Sequence, residues 1–441
     1  MKTLLILLLL GFASTTFGQQ RFSGTNAITL DQAIRLALDS NYSSRSAMNE
    51  LTIAQYTGTR ANDNLLPTAS GSGRYDYTRS LTDRGPFFDK NSHGLSYNIG
   101  AGINIYNGGF DAANIRSAGY NLDAAKYNVK WIRQQVAFNV VSAYINALRT
   151  KELVATNEKS LAESQAQLDR IKGLFSAGSV PVIQVYQQEA VVGQQQVQTI
   201  AARNNFLNAK TDLLFLLNIP PDSYNNYDVT LSGIDTSVVS LKSNETGIQP
   251  TPSLISSLLD QRQDFLAQRA SILSSEAAIG LTRSALLPRL GANIGIGGAG
   301  SNPQIQSIKL FHSLTGGLNL TVPIYDAAQN RLQIEIQEVQ LETSKIHLEQ
   351  SEQQFRSDIA KAQNNLSSAQ QILTATESEL RSAEESLRSA SERLRLGAGI
   401  QLDVIIAETQ ALTARTDRVN AIYSYLFATR QLEYLLGKTN Y

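Results

Sequence analysis

The chain has no cysteine. That excludes a disulfide framework and a thiolate metal site, and it leaves no residue after the leader to carry a lipid. There is no excess charge either. Lys+Arg and Asp+Glu both number 38 among 441 residues, so the basic surface that a nucleic-acid partner requires is missing. Beyond the leader, no stretch offers the ~20 consecutive apolar residues of a membrane-spanning helix. Contact with a bilayer would have to come from strands or from a surface helix. No Ser/His/Asp set and no paired carboxylates stand out, and acidic residues are spread along helix faces. Neither an enzyme nor a cofactor is expected.

The chain opens "MKTLLILLLLGFASTTFGQQ". Lys2 is a short positive region, Leu4 to Phe12 is apolar, and Thr16 and Gly18 are small residues before a cut at Gln19. This is a secretory signal peptide over residues 1–18, too short to span a membrane. The mature chain is expected to leave the cytoplasm.

The remainder contains itself twice. Ile105 and Tyr106 in "NIYNGGFDAA" fall on Ile324 and Tyr325 in "PIYDAAQNRL", 219 residues on. At the same offset Gly178, Val185 and Glu189 fall on Gly397, Val404 and Glu408. Upstream, Leu65-Leu66-Pro67 falls on Leu286-Leu287-Pro288 at an offset of 221. A first repeat over 19–217 and a second over 253–441 are therefore expected. The connector between them, 218–252, is rich in Ser, Thr, Asn, Gly and Pro.

Each repeat starts with a helix. "ITLDQAIRLALDSN" sets Leu30, Ala33, Ile34, Ala37 and Leu38 at helical spacing behind a candidate N-cap, Thr29, and the pattern runs to about Asn64. Then the period becomes two. Ala69, Gly71, Gly73, Tyr75 and Tyr77 alternate with polar residues, as do Leu95, Tyr97, Ile99, Ala101, Ile103 and Ile105. The second repeat does the same with Leu290 to Ile296 and with Leu318, Leu320, Val322 and Ile324. Strands of about 10 residues with this dyad suit a membrane barrel. An antiparallel sheet on a soluble core shows the same alternation.

Long helices follow. Phe110 to Phe175 holds no proline. Leu366, Leu373, Leu380, Leu387 and Leu394 recur every seven residues, with Ala369, Thr376, Ala383 and Ala390 between them. A sustained period of seven means supercoiled packing. The runs break at Gly178 and Gly397, in register, which reads as a hairpin turn with a left-handed glycine. His93 and His312 share the same offset, in or beside loops, and without carboxylate or cysteine partners they are not expected to hold a metal.

These pieces together resemble the outer membrane factor family, the TolC-like export channels. The resemblance rests on "TLDQAIRLAL" after a signal peptide, "LLP" before a strand, the "IYNGG"/"PIYDAA" turn into a long helix, and the glycine turns, all duplicated. It implies a mixed α and β membrane protein built as a homotrimer. Each protomer would give four strands to one twelve-stranded outer-membrane β-barrel and two helical hairpins to a periplasmic coiled-coil tunnel. Four strands cannot close a barrel alone, since ~8 is the observed minimum. The implied function is passive conduction from an inner-membrane pump and a periplasmic adaptor protein to the exterior. A type I protein secretion conduit and a structural periplasmic coiled coil or adhesin are the alternatives. By the same resemblance Gly178, Ser179, Gly397 and Ala398 form the tip where the adaptor docks. Asp403 stands where the family often has the aspartate of a closed entrance. The second gate position is Ile406, and the first repeat has Gln184, so the gate is expected to be less charged than the family pattern.

Overall fold

The computed structural model describes residues 26–79, 91–229 and 252–437. The leader, the loop at 80–90 and most of the connector lie outside the described residues.

Helix α1 (Leu30–Ser40) starts at a capping box: the Thr29 hydroxyl accepts from the Gln32 N–H, and the Gln32 side chain accepts from the Thr29 N–H. The helical pattern toward Asn64 is interrupted once. Asn41 separates α1 from α2 (Tyr42–Asp63), with extended backbone at φ −60° and ψ 136°. Its side-chain oxygen accepts from Ser43 N–H and its amide donates to the Leu216 carbonyl, both at 2.9 Å. The second partner lies 175 residues away, so local periodicity gives no sign of the break. The break recurs at Arg262, between α5 (Pro252–Gln261) and α6 (Gln263–Ser284).

A short parallel pair, β1 (Asn26–Ile28) and β4 (Tyr227–Val229), lies beside the helices. The main sheet holds β2 (Thr68–Arg79), β3 (Asn91–Asn107), β5 (Arg289–Asn302) and β6 (Phe311–Thr321), in that order and antiparallel throughout. The last strand stops at Thr321, short of the expected Val322 and Ile324. Pro323 has no N–H to give to a ladder.

Helices α3 (Phe110–Ser176) and α7 (Gln329–Arg395) have 67 residues each, about 100 Å at 1.5 Å per residue. Helices α4 (Val182–Leu216) and α8 (Gln401–Leu435) have 35 each. Helix α3 packs on α2 and α6 near the sheet and on α4 and α8 farther along, and α7 packs on α6 and then on α8. Both levels are thus four helices wide, with α7 always at one edge and α2 or α4 at the other. The apolar core sits in the middle. It gathers Ala33, Ile34, Val140, Tyr144, Leu213 and Leu214, and the Tyr144 hydroxyl donates to the Ile28 carbonyl at 2.8 Å.

The seam of α7 buries Phe355, Ile359, Ala362, Leu366, Ala369, Leu373 and Thr376, in alternating steps of four and three. Beyond Thr376 the expected Leu380, Leu387 and Leu394 are only half-buried. An edge helix has a neighbour on one side alone.

Candidate functional site

The pairing register puts every apolar row of the sheet on one face. Tyr75 lies opposite Leu95, Gly71 opposite Ile99, Ile99 opposite Ile296, and Ile296 opposite Leu314. No helix covers this face: Ile99, Ile294, Leu314 and Leu318 are 58–75% exposed. The outer strands β2 and β6 each have one unpaired edge. Among the described residues no helix is long and apolar enough to cross a membrane.

The other face is polar and nearly uncharged. Along the four strands it carries mostly Ser, Thr, Asn and Gly, with Ala299 and an exposed Phe311 at the end away from the helices, Arg74 and Asp76 paired to each other at 2.8 Å, and Arg289 at the start of β5. Its asparagines lie down on the sheet. The Asn98 side-chain oxygen is 3.4 and 3.6 Å from where a Cβ would stand on Gly295 and Gly297, and the oxygens of Asn104 and Asn293 are similarly placed over Gly291 and Gly317. Glycine on the neighbouring strand makes room for each of them.

His93 and His312 stand beside the inter-strand loops, as the third residue of β3 and the second of β6. Each Nδ1 is hydrogen-bonded at 2.7 Å to a tyrosine hydroxyl, Tyr75 for His93 and Tyr97 for His312. Among the described residues no His/Asp/Glu group could hold a metal ion.

At the far end of the helices, Gly178 and Gly397 have φ of 71° and 73°. Ser179 N–H donates to the Leu174 carbonyl and Gly178 N–H to Phe175, both at 2.9 Å. Ala398 and Gly397 do the same to Arg393 and Leu394 at 2.8 and 3.1 Å. Both turns are Schellman motifs, which end a helix by satisfying its last carbonyls. Gly178, Ser179, Gly397 and Ala398 are all exposed, and no side chain lies within 4 Å of a Cβ on Gly178 or Gly397. Asp403 and Gln184 are half-buried on the returning helices, and Ile406 is exposed. Asp403 is not free: Arg393 Nη2 lies 3.0 Å from its Oδ2, across the turn. Sequence reading missed this partner, although ten residues spanning a hairpin turn could have suggested it.

It also missed a polar hub where the two hairpins meet. Gln188 on α4 is fully buried; its amide donates to Ser164 Oγ on α3, and its oxygen accepts from Gln401 on α8, both at 2.9 Å. Burial pushes the Glu408 carboxyl up from its ordinary range, a hydrogen bond with Gln188 opposes this, and the charge of Glu163 adds to it. Arg415 Nη1 lies 2.9 Å from Glu163 and its Nε 3.2 Å from Glu384, joining the two hairpins a second time.

A profile of outer membrane efflux proteins matches residues 33–218 and again 254–438. The chain belongs to the outer membrane efflux protein family. Among relatives, the pyoverdine export outer membrane protein OpmQ of Pseudomonas putida is 24% identical over 319 residues, 70% of this chain. This family member spans only 64% of that relative's length. Its fold is that of the Campylobacter jejuni CmeC outer membrane channel, with a TM-score of 0.78 at 17% identity over 92% of this chain and 85% of the other. It is also that of the Vibrio cholerae outer membrane protein VceC, with a TM-score of 0.75 at 18% identity over 92% and 96%. An outer membrane efflux protein is placed in the outer membrane.

Proposed function

We propose that the chain is the outer-membrane channel of a tripartite efflux or export system, conducting solute passively from a periplasmic adaptor and an inner-membrane pump to the exterior. The observation that carries this reading is the four-stranded sheet with one uncovered apolar face and two open edges. Water does not tolerate such a face at this size, and lipid does not tolerate open edges. Three copies remove both problems. Joining β6 of one protomer to β2 of the next gives a twelve-stranded barrel with its apolar face to lipid and its polar face to a lumen. The helices support the same closure. Ile336, Val339 and Ile346 are exposed on α7, and Met48, Ile53 and Tyr56 are exposed on α2, the opposite edge at that level. In the trimer these rows meet and complete a tunnel wall. The repeats at 19–217 and 253–441, joined by the 218–252 connector, each supply one strand pair and one hairpin.

The exposed turns at Gly178, Ser179, Gly397 and Ala398 form the docking tip, because small residues let a partner helix come close. Asp403, Gln184 and Ile406 narrow the entrance beside them. Three Asp403 carboxylates make a ring there, each compensated by its own Arg393. A small-molecule cargo is favoured over a secreted protein by the relative's name, which specifies pyoverdine export.

Single-channel recording from purified trimer in a planar bilayer tests the proposal. Steady conductance with heat-modifiable trimer migration is expected. A protein that forms trimers but passes no current is a spacer or adhesin, and the channel reading fails.

A further inference from the structure

The apolar face of the sheet changes character along its length. Toward the helices it is mainly aliphatic, with Ile103, Ile294 and Leu320, and carries one tyrosine, Tyr106, opposite Leu290 beyond a bulge in β3. At the opposite end it holds Tyr75, Tyr77, Tyr97, His93 and His312, then Arg79. Lys309 stands just before β6, with its backbone against Gly300. Among the described strand residues of this face there is no aspartate or glutamate.

Both histidines are held in place. The Tyr77 ring lies 5.0 Å from the His93 ring while the Tyr75 hydroxyl occupies Nδ1. Tyr97 crosses β5 on top of Gly298 to reach His312. A Cβ on Gly298 would stand 2.6 Å from Tyr97 Cε1 and 3.0 Å from His312 Nδ1, so any side chain there would evict the ring. Each bond runs in the direction its tautomer sets; with the hydroxyl donating to Nδ1, the ring proton stands on Nε2, available to an outside acceptor. The duplication does not produce this arrangement by itself. The histidines correspond to each other, but Tyr75 corresponds to Ile296, and the two tyrosines come from β2 and β3. The same imidazole is fixed in the same way by unrelated partners.

We propose that this collar binds the phosphate-bearing headgroups of outer-leaflet lipids. The Nε2–H groups, Arg79 and Lys309 supply donors and positive charge, the tyrosines sit at the water boundary, and acyl chains lie on the aliphatic rows below. Anionic phosphate is the complement of a basic collar whose described strand residues carry no carboxylate, and the aliphatic strip continuous with it accepts the rest of the lipid. The inference rests on the sheet facing lipid, as the channel proposal requires.

The test is native mass spectrometry of the purified trimer after exposure to equimolar phosphatidylcholine and phosphatidic acid, with a parallel arm using lipid A. The wild type is expected to retain the phosphate-monoester lipids preferentially. The triple variant His93→Gln, His312→Gln, Lys309→Gln is expected to lose that preference several-fold, and Tyr97→Phe, which keeps the ring but releases Nδ1, to lose part of it. Heat-modifiable migration identifies variants that still assemble. Equal retention of both lipids by the wild type overturns the site, as does unchanged preference in an assembled triple variant. Loss of the preference on adding excess inorganic phosphate marks a bare anion site and overturns the lipid assignment. A wild type that neither inserts nor conducts refutes the channel proposal instead, and is recognised before any lipid is added.

Discussion

Replacing Arg393 by glutamine tests the charge of the tip. Arg393 and Asp403 face each other at 3.0 Å with side chains 58% and 41% exposed. Two unit charges at that separation attract by about 1.4 kcal/mol in bulk water. Holding two long side chains together and screening by salt remove most of this, leaving roughly 0–1 kcal/mol for such a surface pair. Arg393→Gln should therefore barely move the unfolding midpoint. Its electrical effect is larger, because it uncovers one carboxylate per protomer and three per trimer. Rings of carboxylates favour cations. The reversal potential across a KCl gradient should shift toward cation preference in Arg393→Gln and the opposite way in Asp403→Asn, and the double variant should return near the wild type. An unchanged reversal potential in an assembled Arg393→Gln trimer would remove Asp403 from the conduction path. A stability loss of several kcal/mol would show that the pair is buried in the assembly and that the surface estimate does not apply.

Three further outcomes follow from backbone and burial. Gly397→Ala should cost about 1 kcal/mol for a left-handed residue with free space around it, whereas Gly108→Ala should cost about 2–5 kcal/mol in chemical unfolding. A Cβ on Gly108 would meet the Ser284 carbonyl oxygen at 2.5 Å and Leu287 Cβ at 2.8 Å. Ala328, at φ 63° in the second copy of that turn, should gain about 1 kcal/mol when changed to glycine, read by the same assay. Glu408, faced by Gln188 from α4 and Glu163 from α3, has its carboxyl raised chiefly by burial. A group raised on folding binds more protons folded than unfolded, so its stabilisation is present in acid and is lost as pH rises through the raised value. The chemical-unfolding midpoint should fall from mildly acidic to neutral buffer, and Glu408→Gln should flatten that fall.

Elements with a strong period were legible in the chain. The alternation from Leu95 to Ile103 and the first seven-residue leucines of α7, Leu366 and Leu373, depend on neighbours in sequence and appear where expected, as do the left-handed glycines at 178 and 397. A bulge after Asn104 takes Ile105 out of the row. What escaped reading depends on distant partners. Asn41 breaks a helix because the Leu216 carbonyl is beside it, and Asp403 is neutralised from the far side of a turn. Gln188, an ordinary polar residue on a polar helix, becomes a fully buried hub only once the second hairpin arrives. The histidines, read as lying in or beside the inter-strand loops, stand beside them just inside the strands, because β3 begins at Asn91 and β6 at Phe311, boundaries set by pairing rather than composition.

The asparagines lying over glycines have a consequence for what a barrel closed from this sheet could distinguish. With its amides flattened against the strands, the lumen would have its width fixed by backbone, and a passing solute would meet a smooth wall of neutral dipoles with few side chains projecting into its path. Such a bore has little grip on shape or sign of charge. Choice of cargo would fall to whatever feeds the opposite end, and a change of cargo would ask little of these strands.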